Sequence, residues 1–279
     1  MQKYALSLFA ILLLGILNLN AQEILPTKKE TRKAQKAAQK AQQQRFLVIG
    51  ANGRYGLTQD FRLSELTYQG IGPGLIYAYR IRSPKAWEDW TFDPSITFQS
   101  PAHGESQLLN GYLGFSYRYL HHVRDLGSAQ DWKFYLGGET DSRANVKFNS
   151  SLGNSVATWE GIAALNLAAA VQKDLQICKR PLSLDYQLRL PVLAYVNRGP
   201  AYSLSGLDPR SHTFTSIWGL NRVDSEVGIN FALAPNNPNR LRIAYRWDFY
   251  AFNDNGIHPV RSAQHGLLVE LMVNLSAQR

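Results

Sequence analysis

The stretch LRIAYRWDFYA, residues 241–251, sorts its side chains into two sets by position. Odd positions hold Leu241, Ile243, Tyr245, Trp247, Phe249 and Ala251; even positions hold Arg242, Ala244, Arg246, Asp248 and Tyr250. A period of two is that of a β-strand, whose successive side chains leave opposite faces. One face here is wholly apolar and the other carries the charge. The same division recurs at Trp132–Phe148, with Trp132, Phe134, Leu136, Val146 and Phe148 against Lys133, Glu139, Asp141, Arg143 and Lys147. Leu182–Leu190 alternates Leu with Ser183, Asp185, Gln187 and Arg189.

Working outward, alternation broken by Gly, Pro, Asn and Asp clusters predicts strands near 46–57, 73–83, 90–100, 108–121, 132–148, 156–173, 181–197, 213–234, 240–252 and 263–275. Ten strands are expected, with eight to twelve within reach of the segmentation. Long loops are expected at Thr58–Gly72, Gly199–His212 and Asn253–Ser262, and turn-rich links at Lys173–Arg180 and Ala234–Arg240. An even number of strands returns the C-terminus to the side of the N-terminus.

Two architectures show amphipathic strands of this kind. A soluble sandwich or barrel hides its apolar face and uses strands of about five or six residues. A membrane barrel turns the apolar face outward and needs roughly 9–11 residues per strand to cross obliquely. The segments are long, and Trp90, Trp132, Trp159, Tyr79 and Tyr119 sit toward segment ends on the apolar face, as interfacial girdle residues do. The expectation is an all-β, antiparallel up-and-down transmembrane barrel in the cell outer membrane. Leu267, Val269, Leu271, Val273 and Leu275 suit a closing strand, although a terminal aromatic is missing.

The N-terminus fits that destination. Residues 1–22 combine Lys3, an apolar run through Leu6, Phe9, Leu12, Leu14 and Leu17, and a small residue, Ala21, which reads as a cleaved signal peptide. Its apolar core of about 13 residues is shorter than the roughly 20 of a spanning helix. No cysteine follows it to be acylated, and the lone Cys178 excludes an internal disulfide. Residues 23–45 read as a basic periplasmic tether or helix, with Lys29, Lys33, Lys36 and Lys40 in one stripe. Without large apolar residues opposite, it reads best as a solvated spacer, ahead of membrane insertion and of contact with peptidoglycan or an envelope protein through Lys28 to Arg45. This segment also carries most of the net charge of +9, since Phe46–Arg279 holds 22 basic against 19 acidic residues. The high isoelectric point is therefore no argument for nucleic acid.

In the barrel, residues 46–279, the charged faces turn inward. The expected lumen holds Arg54, Arg80, Arg118, Arg143, Arg189, Arg222, Arg242, Arg246, Lys133 and Lys147 against Asp93, Glu139, Asp141, Glu160, Asp185, Asp224, Glu226, Asp248 and Glu270. So even a balance predicts a cross-linked ion-pair network and a plugged interior. A selective anion pore would need a cationic excess, so a narrow small-solute channel is the second reading. A third is a rim hydrolase of omptin-like arrangement, with His103 and Glu105 meeting His212, Asp208 and Ser211 above the barrel mouth. A His near Asp or Ser in a polar loop is usually solvated, and no G-x-S-x-G pattern is present, so an enzyme is the weaker expectation. His121 and His122 read as surface residues and His265 as isolated. No metal site and no cofactor are expected. A ligand site would need the 58–72 and 199–212 loops to converge and bring Tyr68, Tyr202 and Arg210 to a glycan or lipid head group, from the outer-membrane lipid or lipopolysaccharide around the barrel.

The run RYGLTQDFRLSELTYQG, residues 54–70, resembles a Bacteroidetes outer-membrane β-barrel family known as a domain of unknown function. Asp60, Leu63, Ser64, Leu66, Tyr68 and Gly70 carry the likeness, with Glu65 where that family has Pro. PLSLDYQLRLPVLA (181–194) and the His212–Asn221 strand extend it over most of the mature chain, and the leader ending Asn20-Ala21-Gln22 is similar to those of that phylum. The resemblance implies a cell-surface barrel of this length and no chemistry. Around Pro73, Gly70, Gly72 and Gly74 read as a sharp turn into the second strand, with Tyr68 packed over the rim.

Overall fold

The computed structural model describes residues 43–127, 131–149, 157–177, 180–199, 201–203, 206–208, 211–234, 237–253 and 259–276. The expected signal peptide and nearly all of the tether lie outside them, as do Cys178, Arg210 and His258. The strands are β1 (Gln44–Asp60), β2 (Ser64–Arg82), β3 (Ala86–Pro101), β4 (Leu108–Leu126), β5 (Trp132–Asn149), β6 (Ala157–Ile177), β7 (Arg180–Arg198), β8 (Ala201–Ser203), β9 (Gly206–Asp208), β10 (Ser211–Ser216), β11 (Leu220–Ala232), β12 (Arg240–Phe252) and β13 (Val260–Asn274). Each of β1 to β6 pairs antiparallel with the next, β7 pairs with β11, and β11, β12, β13 and β1 complete the ring. Ten of the described strands thus close an up-and-down barrel. Its staves run from 13 residues in β11 and β12 to 21 in β6, longer than a bilayer crossing requires.

The wall is inside out. Ile71, Phe98 and Leu267 are 70%, 62% and 58% exposed on the outer face, while Arg222 and Glu270 are at most 2% exposed on the inner one. Exposing such a band to water would forfeit the burial that stabilises a soluble fold; facing lipid, it is the expected outer surface. Near the end that holds the N-terminus of β1, outward aromatics gather as a girdle: Trp90 lies 4.2 Å from Tyr117 between ring centroids, and Tyr77 stacks on Phe92 at 6.5 Å.

Three features differ from the sequence expectation. First, Thr58–Gly72 is not a loop. β1 continues to Asp60, and the turn over 61–63 is closed by the Leu63 amide donating to the Asp60 carbonyl (2.9 Å) and the Arg62 amide to Asp60 Oδ1 (3.1 Å). The glycines beyond it are strand residues. A Cβ on Gly70 or Gly72 would run into the backbone carbonyls of Phe98 and Ile96, so these positions allow β2 to approach β3 closely rather than to turn. Second, the expected strand 213–234 is broken. β10 pairs with Leu193–Arg198 of β7, a turn over 217–219 follows (Gly219 amide to Ser216 carbonyl, 3.0 Å), and β11 resumes beside β7 lower down. The 199–212 loop contains the small β8–β9 hairpin. Third, Arg45 belongs to the wall and not to the tether: its amide donates to Ser276 Oγ at 3.0 Å and its carbonyl accepts from the Leu275 amide at 2.8 Å.

Candidate functional site

Alternation delivers the charged faces of the staves to one narrow interior, and there they interlock. In the middle of the barrel Arg143 reaches Asp141 (2.9 Å), Asp224 (2.6 Å) and Asp248, while Arg222 bonds Asp224 (2.5 Å) and Asp141. Beside them Arg242 spans Glu226 (2.7 Å), Asp185 (2.9 Å) and Glu270 (3.4 Å), and Arg80 bonds both oxygens of Glu270 at 2.7 and 2.9 Å. Arg246 joins Glu226 to Asp93, both at 2.7 Å, and Asp93 also holds Arg54, whose guanidinium lies 4.4 Å above the Tyr112 ring. Toward the termini, Asp89 is shared by Arg82 and Arg118, and Glu139 lies between Arg118 (3.8 Å) and Arg189 (3.7 Å). Every one of these carboxylates meets at least one cation. Such burial costs several kcal/mol per isolated ion, so the network is stable only because its charges are paired.

At the opposite end Asp60 takes Lys147 and Arg198, each at 2.6 Å; Arg198 also meets Glu160 (3.3 Å), which accepts from the Tyr250 hydroxyl at 2.6 Å. Above this cluster Tyr68, 2% exposed, accepts from Asn149 (2.8 Å) and shares a hydrogen bond with Ser106 (3.1 Å). Apolar side chains complete the inner face. Trp87 stacks on Tyr135 at 4.6 Å beside Leu120, and Ile162, Val196, Leu220, Phe252 and Val260 cluster at the far end. Two voids among the described charges are small, about 20 Å³ beside Arg54 and about 30 Å³ beside Arg189. Each has room for roughly one or two waters. Arg189 adjoins the larger void with its Nε and Nη2 unpartnered among the described residues, as a water ligand would require.

Of the interior residues named from the sequence, one lies elsewhere: Lys133 sits at the rim near the termini, half-exposed, paired with Asp174 at 2.6 Å. Asp60, Asp89, Arg62, Arg82 and Arg198 were missed. Asp60 and Arg62 fell in the supposed loop. Arg198 has the wrong parity for its strand, because Val192 is an extra residue opposite Leu165 and Asn166; both Val192 and Leu193 face outward, and the following residues exchange faces. The sequence signal for that bulge is Pro191 just before it, since a proline inside a central strand has no amide to give the ladder.

Among the described residues no contact joins the rim candidates Tyr68, His103 and His212. Tyr68 points into the lumen instead of over the rim, since its loop is a strand. His103 lies in the link between β3 and β4, His212 starts β10, and both are exposed with no hydrogen bond or ion pair to another described side chain. Tyr202 and Asp208 fall in β8 and β9, whose side chains are outside the described set, and Arg210 is outside it altogether. Among the described residues no group of His, Cys, Asp and Glu is placed to hold a metal ion.

Comparison with known proteins adds a family. A family model described as "Protein of unknown function (DUF3316)" matches residues 6–278, and the chain belongs to that family. No curated protein matches it. Among solved structures it is similar to the translocator domain of the autotransporter NalP from Neisseria meningitidis (9% identity, 88% of this chain and 95% of that one, TM-score 0.45). It is also similar to the outer membrane protease OmpT from Escherichia coli (7%, 84% and 96%, TM-score 0.48) and to Ail of Yersinia pestis (10%, 82% and 99%, TM-score 0.26).

Proposed function

We propose that this member of the family is an outer-membrane barrel with a plugged, charge-balanced lumen, serving as a structural or surface-interaction protein rather than as a pore or an enzyme. The observation that carries this reading is the lumen itself. Carboxylates and guanidinium groups are cross-linked from wall to wall, and two of the voids among them hold only about 20 and 30 Å³. A conducting path would have to break several buried ion pairs, each of which is costly to leave half-made. In this reading the signal peptide delivers a Bacteroidetes chain through the inner membrane. The tether that begins at Lys28 and ends before β1 stays in the periplasm to meet peptidoglycan or an envelope protein, and lipid or lipopolysaccharide covers the outer wall.

Purified, refolded protein lacking residues 1–22 should shift its electrophoretic mobility on heating, as folded membrane barrels do, and give no steady single-channel current in planar bilayers. Steady currents would replace this reading with that of a narrow channel, and absence of a heat shift would remove the membrane barrel.

A further inference from the structure

The outer wall is not uniform. At the level of Arg54 it bears a groove of about 710 Å³ walled by Tyr55, Ile71, Phe98, Tyr245, His265 and Leu267, with Gly53 and Pro73 along its floor. Gly53 faces outward, and a Cβ built on it would find nothing within 4 Å, so the recess exists because that position has no side chain among long neighbours that stand away from the wall. The recess is shallow and open to the surroundings, apolar with a few polar groups at one side, as suits a chain lying along the wall.

Those polar groups are unusual for a lipid-facing surface. His265 Nδ1 and the Tyr245 hydroxyl are 2.5 Å apart, and the rings of Tyr55 and Tyr245 flank the imidazole at 6.1 Å each. The Tyr55 hydroxyl donates to Gln69 Oε1 at 3.0 Å. One ring nitrogen is taken up by Tyr245, and the other, Nε2, has no partner among the described residues. An unpaired imidazole nitrogen inside an apolar band is costly unless a ligand satisfies it. Farther along the same face of β13, past the small Ala263, stands Arg261, exposed and without an ion pair among the described residues. Four strand residues separate it from His265, roughly 13 Å. Cation, unpaired imidazole nitrogen and apolar recess therefore follow one another from the rim toward the middle of the wall. That is the order of phosphate, ester carbonyl and acyl chain in a phosphoglycerolipid.

We propose that this groove is a specific lipid site: one acyl chain of a phosphoglycerolipid lies over Gly53, His265 Nε2 donates to an ester carbonyl, and Arg261 meets the phosphate. One cation, one donor and one recess suit a lipid with a single phosphate better than lipid A with its many chains. The assignment rests on the wall lying in a bilayer and is independent of whether the lumen conducts.

The test is native mass spectrometry of the refolded full chain after detergent removal of bulk lipid, with phosphatidylethanolamine and lipid A offered together, and heat-shifted mobility recorded for every variant. The wild type is expected to retain one phosphatidylethanolamine. Gly53→Leu, which fills the recess, and His265→Ala should each lower that occupancy about tenfold with the heat shift intact, and Val146→Leu on another part of the wall should not. The proposal is overturned if the wild type retains no phosphatidylethanolamine, if lipid A is taken instead, or if a folded Gly53→Leu or His265→Ala binds as the wild type does. Should Gly53→Leu fail to fold, His265→Ala and wild-type retention still decide.

Discussion

Gly53 and Arg54 are neighbours in β1 and live in opposite worlds. Arg54 points into a lumen where its guanidinium bonds Asp93, donates to Gln264 at 2.9 Å and stacks on Tyr112. Gly53 points to the lipid side, where a Cβ would meet nothing within 4 Å. The inner face is crowded and its carboxylates each meet a cation, while the outer face at the same height keeps an open recess and an imidazole nitrogen without a partner among the described residues. Cross-linked groups make a rigid plug, and an open recess beside an unpaired nitrogen invites a ligand. The lumen, which draws attention for its charge, is thus the less receptive of the two surfaces.

Mutations can break that contrast, beginning with the inner face. Asp224→Ala leaves Arg143 and Arg222 short of a shared carboxylate and is expected to cost about 3–5 kcal/mol, read as a lowered urea midpoint of the barrel in lipid vesicles. If the loss were under about 1 kcal/mol, the network would be no more than a set of solvated surface pairs. Gly72→Val should cost roughly 1–3 kcal/mol in the same assay, because its inward Cβ meets the Ile96 carbonyl and β2 must draw away from β3. Tyr68→Phe strips the hydroxyl that Asn149 and Ser106 share and should lower stability by about 1 kcal/mol, visible as a reduced melting temperature. Gly53→Ala sharpens the comparison from the other side: with open space around its Cβ, the change should stay within about 0.5 kcal/mol. A Gly53→Ala as damaging as Gly72→Val would mean that the two faces are equally packed.

The alternation in Leu241–Ala251 was legible because period two survives any register, and it places Arg242, Arg246 and Asp248 on one face without knowing what they face. Thr58–Gly72 was misread for a physical reason. Glycines and a proline signal a turn when only local propensity is weighed, but at Gly70 and Gly72 the missing side chain answers a demand made by β3, which is remote in sequence. Tyr68 followed that error out to the rim. His265 looked isolated because its partner Tyr245 lies on another strand, brought alongside only by the β12–β13 register, in which Trp247 opposes His265 and Tyr245 opposes Leu267.

By itself the sequence determined the class of fold and which way its faces turn, since strand periodicity and the separation of apolar from charged residues are local properties that any closed barrel must respect. Tertiary structure alone decided which charge meets which, which way Arg198 turns beyond the Val192 bulge, and where the wall is hollow. Those depend on register and on side chains converging from staves far apart in the chain, and no local rule carries information across that distance.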